Sequence, residues 1–200
     1  LIFCIASTTW SATDLPQAPR IEARAWLLID AQSGAVLAQN DAERSVEPAS
    51  LTKLMTAYLT FNALKEGTLR RDQMLTTSEK AWKAEGSRMF LDPRKPAKVS
   101  DLILGMIVQS GNDASLTLAE AIGGTEPGFV ELMNRTASRL GMRNTHFANA
   151  TGLPHPEHRT TARDLATLSL ALIRDFPNEY KHYSIKEFTY AGITQPNRNR

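Results

Sequence analysis

Between Pro48 and Gly67, the residues Leu51, Leu54, Met55, Tyr58, Leu59 and Ala63 recur at the three- and four-residue intervals of a helix face. Pro48 suits the first helical turn, where its missing N–H costs nothing, and Gly67 closes the run. The spacing predicts a helix beginning near Ser50 and central to the fold. Ahead of it, residues 25–30 and 35–40 are short apolar runs of strand length, separated by the turn-forming Ala31-Gln32-Ser33-Gly34, and predict a hairpin. Behind it, helices are expected over residues 99–108, 114–122, 126–140 and 161–173, with stops at Gly111, Gly123-Gly124 and Gly141. Residues 144–158, with Gly152, Pro154 and Pro156, read as a loop. Residues 186–193 return to extended structure through Phe188, Thr189 and Tyr190. Strands at both ends with helices between them predict an α/β domain carrying a helical insert.

The chain has 200 residues, 42% hydrophobic, which supports one globular domain or a domain with a nested subdomain. Its 23 basic and 21 acidic residues leave a formal charge of +2, so charge gives no reason to expect a nucleic-acid partner. The basic stretch 94–98 reads as a solvated turn. Cys4 is the single cysteine, which excludes an intramolecular disulfide and a cysteine-cluster metal site. The first residue is not Met. Leu1 to Ala6 is apolar and Ser7 to Ala12 mostly small and polar, the pattern of the tail of a secretory signal peptide cleaved near residues 9–12. The expected organisation is a signal remnant over 1–12, a lead-in over 13–24 and a catalytic domain over 25–200, with the polar end at 195–200 read as a cut through a longer protein.

Two short patterns carry chemistry. In Ser50-Leu51-Thr52-Lys53, three helical steps turn the chain by about 300°, which brings the hydroxyl and the amine to nearly one face. Such a pair works as nucleophile and base if Ser50 sits at a helix N-terminus, where free N–H groups can stabilise an oxyanion, and if Lys53 is desolvated. Leu51, Leu54 and Met55 are the neighbours expected to bury it. Alone, the pattern reads first as a capping serine and a solvent-facing lysine. In Ser110-Gly111-Asn112, a tight turn between two helices would present a hydroxyl beside a carboxamide, and Gly111 would permit a backbone shape that other residues resist. Alone, it is an ordinary turn with local backbone bonds. Together and in this order, they are two parts of the signature shared by penicillin-binding proteins and class A β-lactamases.

The surrounding sequence resembles the low-molecular-mass penicillin-binding proteins, the serine-type D-alanyl-D-alanine carboxypeptidases of peptidase family S11. The matching stretches are Asp30 with Ser33-Gly34-Ala35-Val36-Leu37, Pro48 through Thr56, Ser87-Arg88-Met89-Phe90-Leu91 and Ser110-Gly111-Asn112-Asp113-Ala114. They continue with Leu140-Gly141-Met142, Asn144-Thr145-His146-Phe147, Gly152-Leu153-Pro154 and Thr161 through Ala166. The resemblance implies a β-lactamase/transpeptidase-like α/β fold: an antiparallel sheet with flanking helices and a helical subdomain, its C-terminal strands beyond this chain. It implies removal of the terminal D-alanine from peptidoglycan stem pentapeptides through an acyl-enzyme on Ser50, with β-lactams as covalent inhibitors and no metal or organic cofactor. Lys53 would take the Ser50 proton, Ser110 would relay it toward the leaving D-alanine nitrogen, and Asn112 would hold the substrate amide and help orient Lys53. The Ser50 amide would form half of the oxyanion hole. The family's Lys-Thr-Gly motif does not occur in the chain. The implied location is exported, in the periplasm or at the outer face of the cytoplasmic membrane, with a possible membrane anchor outside this sequence.

Other residues are expected to play quieter parts. His155 and His158 have a spacing metals can use, but Pro154 and Pro156 disfavour a helix there. Asp164 is expected to cap its helix or pair with Arg163 or the 144–158 loop. Thr151-Gly152-Leu153 offers no carboxylate where the β-lactamases use a glutamate for deacylation, although Glu157 is nearby, which favours peptide trimming. The rival readings are a D,D-endopeptidase or a class A β-lactamase of the same fold and, outside catalysis, a β-lactam sensor or wall-binding module.

Overall fold

The computed structural model describes residues 21–199. The signal remnant and most of the lead-in lie outside these residues. The expected hairpin forms from β1 (Trp26–Ile29) and β2 (Val36–Asn40), antiparallel, with an irregularity at Leu28/Ile29. Its turn is built by Asp30, whose carboxylate accepts the Ser33 amide at 2.7 Å and the Ser33 hydroxyl at 2.6 Å. Gly34 follows at φ +72°, a left-handed conformation that costs a glycine little.

The helix foreseen from Ser50 starts in two stages. A 3-10 turn over Ala49–Thr52, flanked by Pro48, leads into α1 (Lys53–Glu66), which Gly67 ends at φ +74°. This helix is central, but its burial is wider than a stripe: Lys53, Met55 through Phe61 and Ala63 are all buried. Thr56 and Thr60 satisfy their hydroxyls by donating to the carbonyls of Ala150 and Thr56 at 2.8 Å, so polar positions join the core without stranded groups. A helix enclosed on nearly all sides has little amphipathic contrast, which is why its apolar periodicity understates how deep it lies.

Short elements that the sequence pattern did not reveal come next: β3 (Met74–Leu75), α2 (Glu79–Trp82) and β4 (Ala97–Lys98), with β3 and β4 paired antiparallel. Two- and four-residue elements are too short to show a period. The long helices fall as expected: α3 (Val99–Val108), α4 (Asn112–Gly123), α5 (Glu126–Leu140) and α6 (Ala162–Asp175). Thr125 and Thr161 cap α5 and α6 by accepting the amides of Gly128 and Asp164. The short α7 (Pro177–Tyr180) leads through a 3-10 turn to the hairpin of β5 (Glu187–Tyr190) and β6 (Ile193–Pro196).

Among the described residues the strands form three separate antiparallel pairs rather than one sheet. The main core cluster is shared by α1, α3, α4, α5 and α6, with Phe61, Phe129, Phe147, Met55, Met89 and Met106 among its members, and Ala81, Ala84 and Leu116 form a small second one. Burying side chains of this size stabilises by about 1.5–3 kcal/mol each, so the helical body is the rigid frame that positions the loops. No described helix is long and apolar enough to cross a membrane.

Candidate active site

Two segments meet at the N-terminal end of α1, and a third, the turn between α3 and α4, joins two helices that pack against α1. The first is the 3-10 turn that carries Ser50. Ser50 is exposed, and the residue before it, Ala49, has φ +46°. A non-glycine residue in that region is uncommon and held only where the surroundings over-determine it. Gly152 supplies that constraint. A Cβ there would lie 1.8 Å from the Ala49 carbonyl oxygen and 3.0 Å from the Ser50 nitrogen. The 151–153 segment therefore lies directly against the Ser50 backbone.

Lys53, at the start of α1, is 6% exposed, and its Nζ donates to the Thr151 carbonyl at 2.7 Å. Burial, with the Arg198 guanidinium as a second cause, pulls its pKa down from 10.5 to about 8. Desolvation was the condition on which its use as a base depended, and it holds; of the expected neighbours Met55 is buried and Leu54 half-buried, but Leu51 is not part of the enclosure. Leu51 is 53% exposed, and the enclosing group is the 149–153 loop. That loop is shaped by Asn149, whose carboxamide oxygen accepts the amides of Thr151 and Gly152 and whose nitrogen donates to the Leu153 carbonyl.

The third segment is the turn between α3 and α4. Ser110, not Gly111, takes the left-handed conformation, at φ +57°. Gly111 has φ −63° and is needed for space: a Cβ would meet the Asp113 carboxylate at 3.0 Å, the Gly105 carbonyl at 3.1 Å and the Met89 nitrogen at 3.3 Å. The Ser110 hydroxyl is buried and has no hydrogen-bond partner among the described residues. Asn112 makes no hydrogen bond to Lys53 among the described residues. Its side-chain nitrogen donates to the Glu85 carbonyl at 2.6 Å and its amide to the Ser87 carbonyl at 2.7 Å, so residues 85–87 lie against the turn.

The remaining candidates have structural partners. His158 is buried against Thr52, with 2.8 Å between Nε2 and Oγ1, and His155 Nδ1 accepts the Glu157 amide. Glu157 is exposed. The carboxylate of Asp164 accepts the Asn144 amide at 2.8 Å and the Thr145 hydroxyl at 2.7 Å, which ties α6 to the loop, while Arg163 turns to Glu43 and Gln39.

Thr151, Glu85, Ser87 and Arg198 also shape the site, and no chemical role was assigned to them from sequence. Ser87 stood in a family-like stretch. Thr151 and Glu85 act through backbone carbonyls, which every residue has. Arg198 belongs to a polar terminal stretch that carries no motif.

An exposed serine on a strained turn, a buried amine with a lowered pKa and a buried free hydroxyl are groups that acyl transfer through a covalent intermediate can use. The peptidase S11 family, described as D-alanyl-D-alanine carboxypeptidase, matches residues 12–200. The chain belongs to this D-alanyl-D-alanine carboxypeptidase family. It is 44% identical over 205 residues to the D-alanyl-D-alanine carboxypeptidase DacC of Escherichia coli, covering 100% of this chain and 51% of that protein. It is 45% identical over 184 residues to DacA of Haemophilus influenzae, covering 90% of this chain and 47% of that protein. The crystal structure of penicillin-binding protein 5 from Haemophilus influenzae superposes with a TM-score of 0.89 at 44% identity, over 92% of this chain and 54% of that one. The chain thus has the β-lactamase/transpeptidase-like fold of the penicillin-binding proteins and spans about half the length of the curated relatives it matches.

Proposed function

We propose that the protein is a serine-type D-alanyl-D-alanine carboxypeptidase that acts on peptidoglycan stem peptides and is acylated by β-lactams. Ser50 attacks the carbonyl of the penultimate D-alanine, and its proton passes to Lys53. As the C–N bond breaks, Ser110 relays the proton to the departing D-alanine nitrogen. Water then hydrolyses the Ser50 ester. The Ser50 amide, which makes no backbone hydrogen bond among the described residues, suits one half of an oxyanion hole. Asn112 faces the substrate amide from the turn between α3 and α4. Residues 25–200 form part of the catalytic domain, and a Lys-Thr-Gly strand from outside this chain supplies the carboxylate-binding lysine and the second oxyanion donor. Missing one such donor costs roughly 10²–10³ in rate, so residues 1–200 alone are expected to be inactive or nearly so. Residues 1–12 are the remnant of an export signal, and the enzyme works in the periplasm or at the outer face of the cytoplasmic membrane.

The observation that carries this reading is the buried Lys53 amine, deprotonating near pH 8, three residues from an exposed serine. The test is mass spectrometry of the full-length protein after penicillin treatment, with D-alanine release from a pentapeptide measured alongside. A slowly released adduct on Ser50, lost in Ser50→Ala while the thermal melt is preserved, is the expected result. An adduct elsewhere, or labelled Ser50→Ala, refutes the assignment. Fast penicillin turnover would indicate a β-lactamase, preference for cross-linked dimer an endopeptidase, and a permanent adduct without peptide turnover a sensor.

A further inference from the structure

From Arg88 to Leu91 the side chains alternate: Met89 and Leu91 are buried, while Arg88 is half-buried and Phe90 is 49% exposed. Phe90 has φ +66°, a left-handed conformation that a bulky residue keeps only where its surroundings hold it there. Asp113 does the holding. One of its carboxylate oxygens accepts the Met89 amide at 3.0 Å and the other the Leu91 amide at 3.1 Å, so the chain is pinned on both sides of Phe90. A large apolar ring is thus kept in solvent by a buried carboxylate, against its backbone preference and against the hydrophobic effect.

The ring is one wall of a cleft of about 570 Å³. Trp82, 42% exposed, and Pro93 add apolar surface, and the Arg88 guanidinium carbon lies over the Phe90 ring, 5.6 Å from its centre. The other charged groups that line the cleft are engaged. Asp92 accepts two hydrogen bonds from the Arg94 guanidinium at 3.0 and 3.1 Å, and Asp113 accepts a third amide, that of Ala114. Lys83, next to Trp82 in the chain, pairs with Glu79, and Glu85 does not line the cleft. Among the described residues Arg88 forms no ion pair. A guanidinium stacked on one aromatic ring, in a cleft with a second, offers a flat fork to a carboxylate and apolar walls to the chain that carries it.

The cleft adjoins the candidate site through the backbone. The Ser87 carbonyl, which accepts the Asn112 amide at 2.7 Å, is bonded to the Arg88 nitrogen, and Asp113 follows Asn112. A pentapeptide whose scissile end is held at Asn112 extends upstream by about 10 Å, at about 3.3–3.6 Å per residue. We propose that Arg88 and Phe90 form a subsite for a free side-chain carboxylate of the stem peptide, upstream of its D-alanyl-D-alanine end, and that Arg88 determines specificity for acidic stems. The proposal rests on such a peptide being the substrate that acylates Ser50.

The test is D-alanine release by the full-length protein from two pentapeptides of one sequence, one with its side-chain carboxylates free and one with them amidated. The ratio of the two kcat/KM values is read for the unaltered protein, Arg88→Gln, Arg88→Lys and Phe90→Ala, with thermal melts for each. The unaltered protein should favour the free carboxylate by about tenfold or more, chiefly through KM. The ratio should fall to near one in Arg88→Gln. It should recover in part in Arg88→Lys, where an ammonium keeps the charge without the fork. Phe90→Ala removes the surface under the guanidinium and should lower the ratio several-fold. Should Arg88→Gln fail to fold, Arg88→Lys and Phe90→Ala decide, and an unchanged ratio in both overturns the subsite. No preference in the unaltered protein, a preference that survives Arg88→Gln, or an equal loss on both peptides overturns it too and leaves the functional reading intact. Absence of both D-alanine release and Ser50 acylation by penicillin in the unaltered protein overturns the functional reading and the subsite together.

Discussion

Lys53 donates its Nζ to the backbone carbonyl of Thr151 at 2.7 Å, a partner 98 positions away in sequence. A carbonyl accepts from the amine whether it is charged or neutral, and it carries no full negative charge to hold a proton there. A carboxylate in its place would raise the pKa; with a carbonyl, burial prevails and the value falls to about 8.

The acylation rate of the full-length protein should therefore rise along an acid limb centred near pH 8, falling about tenfold per unit below it. Stability moves in the same direction. The folded pKa lies below the unfolded 10.5, so the unfolded chain binds more protons in between, and stability increases as pH rises from about 8 to 10.5. Lys53→Ala should lower acylation by roughly 10²–10⁴ with the fold retained. Stopped-flow acylation across pH checks this, and a limb centred near pH 10 would mean Lys53 is solvated.

Gly152 and Gly141 offer a controlled comparison, since both have positive φ, +89° and +84°. At Gly141 an added Cβ meets nothing within 4 Å, so Gly141→Ala should cost only the left-handed penalty of about 1–2 kcal/mol and leave acylation unchanged. At Gly152 the methyl would strike the Ala49 carbonyl, so Gly152→Ala should displace Ser50 and lower acylation by roughly 10². Equal acylation rates in the two variants would show that the 151–153 segment does not hold the serine.

Asp113 accepts three backbone amides, those of Met89, Leu91 and Ala114, at 2.9–3.1 Å. Asp113→Ala would strand the buried Met89 and Leu91 amides, at about 1–3 kcal/mol each, and loosen the 85–91 segment that holds Asn112. Asp113→Asn keeps one acceptor oxygen and should lose less. Urea unfolding of the two variants gives the ordering, which would be refuted if the alanine variant were the more stable.

His158 links acid stability to the Ser50 turn. Its Nδ1 accepts the Ala148 amide, which leaves the Nε2 proton for the Thr52 hydroxyl. Burial, then the charges of His155 and His146, lower its pKa from 6.5 to about 4. Stability from this group is full above pH 6.5 and is lost as pH falls toward 4, because the unfolded chain takes up the proton first. The difference in Tm between pH 7.5 and 4.5 should be smaller in His158→Gln than in the unaltered protein. Identical differences would mean that His158 titrates like a free imidazole.

The sequence by itself determined the long helices and the first hairpin, and it pointed to Ser50, Lys53, Ser110 and Asn112 as the candidate site. Helical spacing, caps such as Thr125 and Thr161, and short motifs are local, and a local pattern survives without knowledge of what packs against it. Tertiary structure alone decided what surrounds those residues. Lys53 is desolvated by a loop 98 positions away rather than by Leu51, Asn112 binds Glu85 and Ser87 rather than Lys53, and the left-handed residue of the second turn is Ser110 rather than Gly111. The physical reason is that these contacts run through backbone carbonyls and close approaches. Any residue can supply a carbonyl, so its use leaves no mark in residue type, and only the folded chain fixes which one meets the amine.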